Sequence, residues 1–92
     1  RVQLIFLRAF GVDEAEARRL ADERPDAVSE ALAYALFVAE TDPKQVQRSW
    51  SKMIAERIAA GRSNAGVVGF EDWRRKRAEV WSRALTESRI TT

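Results

Sequence analysis

Apolar residues recur along this chain at three- and four-residue steps, and no stretch alternates strictly between apolar and polar. That period predicts helix throughout and no strand. A first helix is expected over Val2–Phe10, with Leu4, Leu7, Phe6 and Phe10 inward. Gly11 ends it, because glycine takes the left-handed cap conformation without steric cost. Asp13-Glu14-Ala15-Glu16 reads as a capping box, with Asp13 accepting from the first free amides and Glu16 reaching back. Val12 stands where a hydrophobic staple would. The second helix carries Ala17, Leu20 and Ala21 on its buried face and stops at Arg24-Pro25, since the residue before proline avoids helical torsions.

A third helix opens at Pro25 or Asp26 and runs to about Glu40. Val28, Ala31, Leu32, Ala35, Leu36 and Ala39 form its apolar stripe, widened by Tyr34, Phe37 and Val38, which predicts a central position. Thr41-Asp42-Pro43 reads as a start signal, with Thr41 or Asp42 as cap and Pro43 in the first turn. The fourth helix is expected over 43–60, stopped by Gly61, with Val46, Trp50, Met53 or Ile54, and Ile58 inward. Ser63-Asn64-Ala65-Gly66 is turn chemistry within a loop over 62–69. A fifth helix spans roughly 70–87, with Phe70, Trp73, Val80, Trp81, Ala84 and Leu85 on one face and a frayed tail after it. The fold class is therefore all-α, a compact bundle of about five helices in a single domain over 1–92. A chain that starts at Arg1 is read as part of a larger protein.

Composition narrows the chemistry. The 92 residues are 46% hydrophobic and 33% charged, enough for a modest core. There is no cysteine and no histidine, which removes disulfides, thiolate chemistry, the commonest general base and the commonest metal ligand. No carboxylate pair in a metal-ligand setting, catalytic triad or nucleotide-binding fingerprint is present, so no enzyme activity and no cofactor are expected. No apolar run approaches the ~18 residues of a membrane span and no secretory signal is evident, which predicts a cytoplasmic domain without membrane contact. Arginine exceeds lysine 13 to 3 and alanine is abundant, as in proteins of GC-rich bacterial genomes.

Charge is divided unevenly. Residues 1–42 carry 5 cations and 9 carboxylates, whereas residues 43–92 carry 11 and 5, giving −4 and +6. Within the basic half, Lys44, Arg48 and Lys52 are spaced i, i+4, i+8, which on a continuous helix aligns them on one face. Like charges at that spacing are mutually destabilising, and a phosphate backbone would offset the cost. Gln45, Gln47, Ser49 and Ser51 add hydrogen-bonding capacity. Arg74-Arg75-Lys76-Arg77 points all round its helix and has partners at i, i+4, Glu71 with Arg75, Asp72 with Lys76, Arg75 with Glu79, Glu79 with Arg83 and Arg83 with Glu87, which describes a salt-bridged surface. Arg77 lies close to the apolar stripe and can cover it with its stem. Trp50, Trp73 and Trp81 fall on apolar stripes, which favours core packing over base stacking. The loop at Arg62-Ser63-Asn64 offers a cation, a hydroxyl and an amide but lacks the elements of a Walker loop.

Phe10-Gly11-Val12, Ala17, Leu20, Pro25, Val28, Ala31-Leu32-Ala33-Tyr34 and then Asp42-Pro43 opening an amphipathic helix resemble, over about Leu4 to Gly61, the helical domain of bacterial plasmid and phage replication initiators and DnaD-like primosome proteins. Asp42 stands where that family has Asn, and Lys44-Gln45-Val46-Gln47 replaces its small-aromatic-aliphatic run. The resemblance implies a DNA-binding or replisome-contact module, with Pro43 and the helix after it as the functional element. Gly11-Val12, Ala17, Leu20 and a third amphipathic helix also resemble the ubiquitin-associated three-helix bundle, whose loop after the first helix binds a partner protein; the fourth and fifth helices lie outside that pattern.

The leading expectation is a DNA-binding accessory domain for duplex or single-stranded DNA. Lys44, Arg48, Lys52, Arg62, Arg74 and Arg75 would contact phosphates, and Gln45, Gln47 and Asn64 base edges. The alternative is a protein-interaction or oligomerisation module, contacting a replisome protein or a second copy.

Overall fold

In the computed structural model, which describes residues 2–46 and 49–91 with the backbone alone at 81 and 85–91, the predicted helices form. They are α1 (Val2–Ala9), α2 (Glu14–Glu23), α3 (Pro25–Thr41), α4 (Trp50–Ala60) and α5 (Phe70–Thr91), with a 3₁₀ turn at Pro43–Gln45. No strand occurs among the described residues. Gly11 adopts φ +94°, which lets the Val12 amide turn back and donate to the Leu7 carbonyl at 2.9 Å. Asp13 caps α2 by accepting from the Ala15 amide. The other half of the expected box does not form, because Glu16 turns to Arg19 instead.

α3 is the axis of the bundle and packs against α1, α2, α4 and α5. Its buried arc is correspondingly wider than a single stripe. Val28, Ala31, Leu32, Ala35 and Val38 are buried, whereas Leu36 and Ala39, expected on the stripe, are half-buried. Leu7, Val12, Ala17, Leu20, Ile54 and Ile58 complete the main core, with Leu4, Phe10, Trp50 and Met53 packed at its margin. The small alanines of α3 admit this close approach on several sides. Gln3 ties α1 to the start of α3 by donating to the Pro25 carbonyl and Ser29 hydroxyl.

The segment after α3 departs from expectation. No helix runs continuously over 43–60. Thr41 is the last residue of α3, its hydroxyl donating back to the Phe37 carbonyl, and the Asp42 side chain caps no amide of the turn at Pro43. Pro43 opens only one 3₁₀ turn, Val46 is extended at ψ 99°, and Ser49 is extended at ψ 147°. α4 then starts at Trp50, capped by the Ser49 hydroxyl, which accepts from the Lys52 amide. A serine at the cap and a β-branched valine before it favour a break over a helix whose exposed row would carry only cations.

α5 docks on α3 through a second, aromatic cluster. Phe70 is buried, and Phe37 meets Phe70 and Trp73 edge-on with centroids 5.6 and 5.5 Å away. The helix continues to Thr91, beyond the expected end. Val80, expected inward, is 62% exposed, and Arg77, three residues before it, meets Glu40 in the last turn of α3. No described helix is long and apolar enough to cross a membrane.

Candidate nucleic-acid interface

The cationic residues predicted as a row do not share one helix. Lys44 lies in the 3₁₀ turn and Lys52 in the first turn of α4, both exposed; Arg48 and Gln47 lie outside the described residues. Lys44 and Lys52 are therefore not aligned on one continuous helix, since the chain is extended at Val46 and again at Ser49.

A different strip takes its place. The Tyr34 hydroxyl on α3 reaches the Gln45 side chain across the 3₁₀ turn at 3.5 Å. The Arg57 guanidinium of α4 lies over the Tyr34 ring, 3.7 Å from its centroid. Beyond it, Gly61 takes φ +62° and closes α4 with its amide on the Arg57 and Ile58 carbonyls, which brings Arg62 back beside Arg57. Tyr34, Met53, Glu56, Arg57, Ala60 and Arg62 line an open groove of about 370 Å³ between α3 and α4. Burial pushes the Arg57 pKa down, and the neighbouring Arg62 charge pushes it further, against the opposing pull of Tyr34 and Glu30. Among the described residues, Lys44, Lys52 and Arg62 form no ion pair.

Arg74 and Arg75 sit elsewhere, on the exposed side of α5, and each is occupied. Lys76 pairs with Asp72 at 3.1 Å as the i, i+4 spacing predicted, whereas Glu71 takes Arg74 at 2.9 Å and Arg75 takes Asp72, both at i, i+3, in place of the expected Glu71–Arg75 and Arg75–Glu79 pairs. Arg77 combines its expected role, lying over the Trp73 ring at 5.6 Å, with an ion pair to Glu40 at 2.8 Å. Trp73 also donates its indole N–H to Glu40 at 3.2 Å. Trp50 packs on Phe10 with centroids 5.5 Å apart. Both tryptophans therefore serve packing; the Trp81 side chain lies outside the described residues.

Asn64 needs correction as a candidate for base edges. It is 4% exposed and fully engaged. Its Nδ2 donates to the Glu30 carbonyl at 2.8 Å, its amide donates to the Glu30 carboxylate at 2.9 Å, and its Oδ1 accepts from Arg57 Nη2 at 3.1 Å. It fastens the loop over 62–69 onto α3 and α4. Arg57 and Tyr34 were missed as site residues. The signal was available: Arg57 falls four residues after Met53 and three after Ile54, on the inward stripe of α4, where a long cation buries its stem and is held in place.

Among the described residues no group of carboxylates stands where it could hold a metal ion. The loop after α1, the partner-binding element of the ubiquitin-associated pattern, has its apolar residues turned inward: Val12 is 5% exposed and Phe10 packs on Trp50. No family model matches this chain, and no curated protein or solved structure matches it either.

Proposed function

We propose that this domain is a non-enzymatic DNA-binding module that contacts duplex phosphates from the α3–α4 side, as part of a cytoplasmic bacterial protein of replication initiation or related DNA processing. The observation that carries the reading is local charge. Residues 43–62 hold five cations and one carboxylate, Glu56, and Lys44, Lys52 and Arg62 are exposed and form no ion pair among the described residues. Arg74, Arg75, Lys76 and Arg77 in the first half of α5, by contrast, are matched within the fold. Unmatched cations on a folded surface are the electrostatic footprint of a polyanion contact. Phosphate contacts of this kind position a protein on DNA without reading its sequence. The resemblance to replication-initiator helical domains supports the biological setting.

Fluorescence anisotropy against duplex DNA, single-stranded DNA and RNA over a salt series tests this. Combined charge reversal of Lys44, Lys52 and Arg62 is expected to abolish duplex binding while the helical circular dichroism stays unchanged. Three neutralised phosphates give a log–log salt slope of about −3. Binding unaffected by the triple reversal, or flat in salt, overturns the reading.

One observation favours a second reading, a protein-interaction module. Val2, Ile5 and Phe6 form an apolar edge along α1 and are 66%, 67% and 37% exposed. A salt-insensitive dimer by light scattering, without DNA affinity and dispersed by Ile5→Glu, would select that reading.

A further inference from the structure

We propose that the groove between α3 and α4 is a discrete phosphate site, in which the guanidiniums of Arg57 and Arg62 hold one phosphate group of a nucleic-acid backbone. The inference rests on the DNA-binding reading for the owner of the phosphate, and on the groove itself for the site.

Arg57 is preorganised. Its guanidinium lies over Tyr34, and Nη2 is anchored on Asn64 Oδ1. A guanidinium held in one plane loses little freedom when it meets a planar pair of phosphate oxygens. Among the described residues Arg57 has no carboxylate partner in an ion pair. Glu30, the acid whose field it senses from α3, already accepts from the Asn64 amide, and no ion pair joins it to Arg57 among the described residues. Glu56 lines the groove as its one carboxylate and has an interaction of its own.

Arg62 supplies the second charge. It is exposed, makes no ion pair among the described residues, and lies close enough to oppose the charge on Arg57. Two cations against one carboxylate leave the groove positive. The resting arrangement holds like charges together beside a half-buried guanidinium, and an anion between them relieves both the repulsion and the desolvation. A volume of about 370 Å³ holds a phosphate with part of its sugar, and the groove opens to solvent, as a continuous backbone requires. Gln45, next to Lys44 in the 3₁₀ turn, accepts from the Tyr34 hydroxyl at 3.5 Å.

The probe is inorganic phosphate, compared with sodium chloride at matched ionic strength and neutral pH. Side-chain Nε–Hε resonances of Arg57 and Arg62 are expected to shift saturably with phosphate and not with chloride. The thermal midpoint is expected to rise with phosphate in the same titration. Arg62→Gln, a change at an exposed position, is expected to weaken phosphate binding about tenfold, the loss typical of one charge-assisted hydrogen bond, while the midpoint in chloride does not fall, since the repulsion of Arg57 is removed. Arg57→Lys keeps the charge and removes the fork, and is expected to weaken phosphate binding at least as much. Identical responses to phosphate and chloride overturn the groove. Duplex binding that persists without any phosphate-specific shift overturns it while sparing the DNA reading. Phosphate binding without duplex affinity supports the groove and overturns the DNA reading.

Discussion

At the scale of single residues, the best-connected polar side chain is Asn64. It satisfies a carbonyl of α3, donates its amide to the Glu30 carboxylate and accepts from Arg57, so three separated segments meet on one residue. Asn64→Ala removes a buried acceptor from Arg57, whose buried Nε already has no partner, and a buried donor from the Glu30 carbonyl. A loss of about 1–3 kcal/mol is expected in chemical denaturation, the usual cost of leaving buried polar groups unpaired. The change also unlocks Arg57, so phosphate-dependent stabilisation is expected to fall with it. Asp72 permits a second residue-scale expectation. Lys76 foremost, and Arg75 with it, hold its carboxyl below the ordinary aspartate range. A folded pKa below the unfolded one means that this contribution to stability is present above the unfolded value and is lost as pH falls through the folded value. An NMR titration of the Asp72 carboxyl is expected to give a midpoint lower than in the Lys76→Gln variant. Asn64 reads as ordinary turn chemistry in sequence because Ser-Asn-Ala-Gly is turn-like wherever it occurs. Nothing local shows that a loop residue will be buried by contacts 34 positions away.

At the scale of elements, the decisive event is where α4 begins. Two start signals compete in this stretch, Thr41-Asp42-Pro43 and Ser49, and the serine wins. The proline supplies a helical φ but its cap residue makes no side-chain bond, so a single 3₁₀ turn results. Ser49→Ala is expected to destabilise the domain by about 1 kcal/mol through loss of the cap. Asp42→Ala, where the sequence places a cap that does not form, is expected to stay within about 0.5 kcal/mol. Paired thermal melts of the two variants check the assignment; a larger loss at Asp42 would restore the continuous helix. The elements with one unambiguous terminus were legible in sequence: Gly11, Asp13, Pro25 and Gly61 each act where their chemistry predicts. The start of α4 was not, because propensity rules rank caps without weighing one against another in the same stretch. The predicted basic row failed for the same reason, since its alignment depended on that boundary.

At the scale of the whole molecule, the uneven charge of the two halves is partly consumed by folding. Glu30 and Glu40 lie in the acidic half, and both face the basic half across α3: Glu30 receives the loop at Asn64, and Glu40 receives Trp73 and Arg77 of α5. The asymmetry therefore includes one component that docks the loop and α5 and another, around Lys44, Lys52, Arg57 and Arg62, whose cations form no ion pair among the described residues. The aromatic cluster dominates the docking of α5. Phe70→Ala is expected to cost about 3 kcal/mol or more, as large-to-small changes at buried aromatics do. The half-exposed Glu40–Arg77 pair is worth at most about 1 kcal/mol after solvent screening. Glu40→Gln separates the two components of charge. It keeps a side-chain acceptor for the Trp73 indole, removes the counter-charge of Arg77 and leaves the α3–α4 groove untouched. If both components served DNA, releasing Arg77 would tighten duplex binding markedly and steepen its salt slope by about one unit. If only the second component binds, duplex affinity and salt slope are expected to match those of the parent domain, while the melting midpoint falls slightly. Anisotropy and thermal melts on the same Glu40→Gln sample decide between these outcomes.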